Sequence, residues 1–313
     1  MSACVDCTAP YPPLPTPTPD NGELDFNIYG YDPSLAAAIV FLVAFGLITL
    51  WQAGLVVRSR IWWLTVLVVG GLGEIIGWAG RAWAAKDPYS LNAFLTQQIC
   101  LILAPCFFSA TCYGILGMVV RALGRQYSVL RPSLYLWIFC VADLVAIVVQ
   151  AIGGAMAALA LQDGKSSESG THIMVAGIAF QLACMIAFSG LALDVYRRAR
   201  RDRSYRSRPH AQEGRLTRVG WGLAWATGWI IVRGIYRTVE LAEGWTGYLI
   251  THEPYFAVLD SMAMVLCQAV FCVAWPAKER PVAVERRESH DSQQTAAPPS
   301  PARGSGEKKV QSV

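Results

Sequence analysis

The feature that most constrains this chain is a succession of seven windows, each close to the roughly 20 apolar residues that a bilayer-spanning helix needs. They fall at about Ser34–Val57, Ile61–Trp83, Phe94–Val120, Ser133–Leu161, Thr171–Tyr196, Val219–Leu241 and Pro254–Trp275. Stretches such as Ser34–Val57 and Trp137–Ala160 hold too few polar positions to give a soluble helix its wet face. Charged residues make up only 15% of the 313 positions, against about 25% in soluble proteins. A formal net charge of +4 over this length is no basic footprint, so nucleic acid is not an expected partner. The expected fold is an all-α polytopic membrane protein. A Pro-rich extracellular tail is expected over 1–33, a seven-helix transmembrane domain over 34–276 and a disordered cytosolic tail over 277–313.

Orientation follows from Lys and Arg in the short loops. Residues 1–57 contain neither. Arg58 and Arg60 follow the first window, Arg121, Arg125 and Arg131 the third, and nine arginines run from Arg197 to Arg218 after the fifth. The loops of opposite parity hold only Lys86 and Lys165. This bias predicts an outer N-terminus and a cytosolic C-terminus. Met1 to Asp32 lacks a basic n-region and an apolar h-region, so the first helix is expected to be its own insertion signal. The Arg197–Arg218 segment reads either as a topology anchor or as a surface for anionic inner-leaflet lipid or a cytosolic partner.

Several chemistries are struck out at this level. Gly164-Lys165-Ser166 resembles the end of a phosphate-binding loop, but Leu159 stands where that loop needs glycine. No lysine lies in the seven windows, which excludes a retinal Schiff base, and no HExxH or G-x-S-x-G is present. His172, His210, His252 and His290 have no metal-ligand partner at helical spacing. Seven of the nine cysteines fall in predicted helices, where they read as small apolar packers. Cys4 and Cys7 form a lone CxxC, more consistent with a local disulfide than with zinc. No enzyme activity, metal or cofactor is expected.

The informative residues are polar groups inside the windows, each costing about 2.5–3.5 kcal/mol at the centre of a lipid-facing helix if charged. Glu74 and Arg81 lie seven apart in the second helix, and Asp143 and Gln150 repeat that spacing in the fourth, ahead of Gly153-Gly154. Arg233, Arg237 and Glu240 form one stripe of the sixth helix. Asp260 lies in the seventh, with Glu253 at its mouth, while Gln97 and Gln181 come from the third and fifth. The predicted topology puts most of them in the outer half, with Asp143 deeper. The expectation is one polar, water-accessible cavity opening outward, suited to an amphipath with a charged head. The competing reading is that buried pairs only lock helix packing. Pro105 reads as a passive bend or as a hinge.

With these residues in view, the chain resembles the fungal RTA-like proteins, named for resistance to aminocholesterol and also called the lipid-translocating exporter family. The segments that carry the resemblance run in order from Tyr29-Gly-Tyr-Asp-Pro-Ser34 to Asp260. Between them stand Glu74-Ile-Ile-Gly-Trp-Ala-Gly-Arg81, Gln97 with Ala104-Pro105 to Tyr113, and Asp143 to Gly153-Gly154. Gly177 to Gln181, Arg233 to Arg237 with Glu240 and Gly244, and His252-Glu253 complete the series. The resemblance implies a seven-helix protein of the plasma membrane or a vacuolar or other endomembrane. Its implied role is export or flip of sphingoid long-chain bases, sterol analogues or toxic amphipaths, conferring resistance. Ala38, Trp78 and Ala257 depart from residues usual in the family and bear on the substrate rather than the fold. A seven-helix receptor is the alternative function, and a structural membrane component ranks third.

Overall fold

The computed structural model describes residues 33–87, 89–162, 167–201, 210–244, 247–249 and 252–276. The proposed tails, Cys4, Cys7 and Lys165 lie outside them. Seven long helices follow one another: α1 (Leu35–Ser59), α2 (Thr65–Ala84, entered through a 3-10 turn at Trp62–Leu64), α3 (Leu91–Leu123), α4 (Pro132–Gln162), α5 (Glu168–Arg201), α6 (His210–Ala242) and α7 (Glu253–Val273). Among the described residues, α1 to α5 and α7 are long and apolar enough to cross a membrane, so this is an integral multi-pass protein. At 33 residues, α6 is roughly 50 Å long. It falls short of the other six in apolarity because Arg233, Arg237 and Glu240 occupy its second half and three arginines or acids its first turns.

Each helix packs on its sequence neighbours, and α1 closes against α7. The third helix is central, touching α2, α4, α5, α6 and α7. Large apolar side chains on α1 and α4, such as Leu47, Leu50, Trp137 and Leu144, point outward and stay exposed. Such a run of exposed apolar surface marks a face made for lipid rather than water. The interior combines large apolar side chains such as Phe45, Trp78, Phe108 and Phe188 with buried polar groups. Gln268 donates to Thr49 Oγ1 at 3.0 Å and to Gln52 Oε1 at 2.9 Å, and Gln52 donates back to the Gln268 carbonyl at 2.8 Å. That buried amide exchange fixes α1 on α7 and had no signature in the charge pattern.

The α4–α5 seam uses one of its two adjacent glycines. A Cβ on Gly153 would lie 2.5 Å from the Met174 amide nitrogen, whereas on Gly154 it would meet only the Met174 sulfur at 3.8 Å. Gly153, facing Gly170, is therefore the close-approach position. At the other end of the bundle, α3 stops at Gly124, whose φ of 113° suits a residue without a Cβ. The expected Arg197–Arg218 loop is largely helical: α5 runs on to Arg201 and α6 begins at His210. Residues 202–209 lie outside the described set.

Candidate functional site

The polar residues of α2, α6 and α7 meet where α7 departs from α-helical geometry. Residues Phe256–Met262 form a π-helical stretch, which contains Asp260. Such turns are rare and concentrate at functional sites. Asp260 Oδ1 accepts from Arg237 Nε at 2.5 Å and lies 3.1 Å from Arg233 Nε, the second contact being an ion pair off hydrogen-bond alignment. Arg237 Nη1 also donates to Glu240 Oε2 at 3.2 Å, and the Tyr236 hydroxyl donates to Glu240 Oε1 at 2.9 Å. The stripe anticipated on α6 is thus real, and its spacing lets Arg237 reach both acids. All of these side chains are buried.

A second pair sits toward the helix ends that include Ser34. Arg81 Nη2 donates to Glu253 Oε1 at 2.9 Å, so the partner of Arg81 is not Glu74, two turns away on its own helix. Glu253 also accepts from the Ser34 backbone N–H, at 3.1 and 3.2 Å to its two oxygens. One carboxylate therefore ties together the starts of α1 and α7 and the end of α2. Phe256 joins this pair to the deeper network, with Arg81 4.7 Å and Arg237 5.1 Å from its ring centroid. Guanidinium groups at this distance from an aromatic ring are held by its quadrupole. Phe256, four residues before Asp260, had been missed because an aromatic in an apolar run reads as core.

Glu74 is the exception. It is 1% exposed, lies in the field of Arg233, Asp260 and Arg237, and makes no hydrogen bond or ion pair among the described residues. Asp143 is separate as well. The Tyr113 hydroxyl donates to its Oδ2 at 3.0 Å, and Tyr113 in turn packs edge-on against Phe188 at 4.7 Å and beside Phe139 at 5.2 Å. It makes no ion pair among the described residues. Among the described residues neither Glu74 nor Asp143 forms an ion pair with a guanidinium. Gln150 donates to Gln181 Oε1 at 3.2 Å, and Gln181 to Cys106 Sγ at 3.0 Å. Gln97 is buried on α3, its backbone nitrogen 3.0 Å from where a Cβ on Gly80 would stand.

Pro105 has a specific consequence. Lacking an N–H, it leaves the Leu101 carbonyl without its helical donor, and Arg233 Nη2 donates to that carbonyl at 2.5 Å. Helix α3 is one continuous helix through Pro105. Replacing Pro105 with Ala should remove a helix cost of about 3 kcal/mol but forfeit a charged hydrogen bond of about 1.5–3 kcal/mol. The expected gain in unfolding stability of the purified protein is therefore only about 0–1.5 kcal/mol. A gain of the full proline cost would show that the Arg233–Leu101 bond adds nothing.

Arg233, Arg237, Gln150, Gln181 and Pro105 border a small, partly open cavity of about 40 Å³. That holds one or a few waters and is far below the roughly 300 Å³ of a small-molecule pocket. It is lined from α3, α4, α5 and α6, and Glu74, Glu240 and Asp260 are not among its lining residues. Among the described residues no group of His, Cys, Asp and Glu could hold a metal ion.

Comparison with known proteins gives this arrangement a family. A family model described as "RTA1 like protein" matches residues 67–279. The sphingoid long-chain base transporter RSB1 of Saccharomyces cerevisiae (strain ATCC 204508 / S288c) is 30% identical over 277 residues, covering 79% of this chain and 72% of its own. Protein RTA1 of the same yeast is 27% identical over 282 residues, with 80% and 85% covered. Its protoporphyrin uptake protein 1 is 26% identical over 296 residues, with 82% and 93% covered. No solved structure matches the chain significantly. The matched region takes in α2 through α7 with every ion pair described above, and on that footing the chain belongs to the RTA1-like protein family.

Proposed function

We propose that this protein is a secondary exporter or translocator of amphipathic, lipid-like molecules, with sphingoid long-chain bases as the leading substrate class. Sterol analogues and toxic amphipaths are the wider class, and resistance is the physiological outcome. In this reading α6 also crosses the bilayer and brings the spans to seven, its charges sheltered against α3 and α7, the N-terminus faces outward and the plasma membrane is the site of action. The observation that carries the reading is the gathering of Arg233, Arg237 and Asp260 near Glu74, a buried carboxyl group that makes no hydrogen bond or ion pair among the described residues. Structural locking explains the paired groups but not Glu74. A protonated amine is the natural counter-charge for it. The cavity beside Arg233 and Arg237 measures only about 40 Å³, too small for a long-chain amphipath, so passage of a guest requires the helices that line it, α3 to α6, to separate. The yeast relative named as a long-chain base transporter supports the same substrate class.

The test is reconstitution of the purified full-length protein into liposomes, followed by movement of labelled sphingosine between leaflets. The same assay is run with its N-acylated, uncharged ceramide. Sphingosine flux should exceed ceramide flux by about tenfold or more, as expected if one charged contact is recognised. Flux equal to protein-free liposomes, or indifferent to the amine, would overturn the proposal.

A further inference from the structure

A second cavity, of about 420 Å³, lies between α3, α5 and α6 at the end of the bundle where α5 leads into α6. Its volume falls in the range of about 300–1,000 Å³ typical of ligand pockets. It shares no lining residue with the small polar cavity; buried Met185 and Ile230 border the small one, Ser189 and Ile231 the large one. The walls are almost wholly apolar, and the hydroxyl of Thr227 is already used, donating to the Leu223 carbonyl at 2.9 Å. Trp221 and Leu193 line it while being exposed on the outer face of α6 and α5, so the cleft is open sideways to whatever surrounds the helices.

Among the described residues one charged side chain lines the cleft, and it is a cation. Arg200 lies with its guanidinium 4.8 Å from the Tyr196 ring centroid and makes no ion pair among the described residues. Its neighbour Arg198 is taken up by Asp194 at 2.8 Å. No carboxylate lines the cleft among the described residues. An apolar slot with an unneutralised guanidinium at its edge complements an acyl chain attached to a phosphate, and disfavours a cationic amphipath. The slot is also kept open by glycine: a Cβ on Gly220 or Gly228 would meet nothing within 4 Å.

We propose that this cleft is a binding site for one anionic phospholipid of the surrounding bilayer, its acyl chain between α3, α5 and α6 and its phosphate on Arg200. The site goes beyond the transport reading and does not depend on it.

The experiment is native mass spectrometry of the purified full-length protein in detergent, titrated with dioleoyl phosphatidylglycerol or dioleoyl phosphatidylcholine. These lipids share their chains and phosphate but differ in net charge. The wild type should retain one phosphatidylglycerol about tenfold more readily than phosphatidylcholine. Arg200→Gln should bring the two lipids to the same level. Gly228→Leu fills the slot from a helical position that has room for it, and should abolish the retained lipid; Gly220→Leu is the second filling variant should the first fold poorly. Equal retention of the two lipids by the wild type would overturn the proposal, as would undiminished retention by both filled variants. Displacement of phosphatidylglycerol by equimolar sphingosine would also overturn it, assigning the cleft to a cationic amphipath instead. Because binding is read without transport, failure here leaves the flux result of the reconstituted protein unaffected.

Discussion

Replacing Asp260 with Asn is expected to be the most damaging single change in the membrane-buried body, with a loss of about 3–5 kcal/mol in unfolding stability. The reason is arithmetic of charge rather than loss of one contact. A single Asp260 oxygen lies within 3.1 Å of Arg233 and 2.5 Å of Arg237, both of them buried. Neutralising it leaves Arg237 with Glu240 alone and Arg233 with only the Leu101 carbonyl. Thermal unfolding of the purified protein in detergent measures the effect. The comparison that gives it meaning removes the whole network: Asp260→Leu, Arg233→Leu, Arg237→Met and Glu240→Gln together should recover most of the stability. Exchange of a complete buried ion cluster for uncharged side chains is commonly neutral or favourable by about 1–4 kcal/mol. The quadruple variant should fold and fail to move sphingosine. Full flux in that background would mean that the network serves packing only.

Glu74→Gln is expected to do the reverse, sparing the fold and removing function. The carboxyl group of Glu74 makes no hydrogen bond or ion pair among the described residues, so an amide of the same shape strands no partner. It also removes a buried acid from a region that already holds Asp260 and Glu240. Stability should therefore be unchanged or slightly raised. Flux should fall by about 10- to 100-fold, the range that corresponds to one charged hydrogen bond of about 1.5–3 kcal/mol made to the passing amine.

The helices and their order were legible from the sequence because apolar stretches of this length have few other outcomes. Their ends were less so: α3, α5 and α6 each run past the apolar windows, since arginine-rich turns stay helical at the edge of a membrane without looking apolar. Residue types of the site were legible too, because charge inside an apolar helix stands out. Pairing was not. Spacing placed Glu74 and Arg81 on one face of α2, but a shared face does not name a partner, and Arg81 pairs with Glu253 on another helix. Phe256 was hidden in an apolar run. The Leu101 carbonyl has no side-chain signal at all, although a proline four residues on is the cue that could have marked it. Cavity size was the least accessible quantity, since whether charges line a space or fill it depends on helix tilt and rotation.

Sphingosine flux through reconstituted Glu74→Gln, measured beside wild type after both have been shown to unfold at the same temperature, bears most directly on the role given to the unpartnered acid. The account predicts matched unfolding and a flux reduced to near that of protein-free liposomes. Matched unfolding with undiminished flux would contradict it and leave the buried carboxyl group no part in carrying the guest.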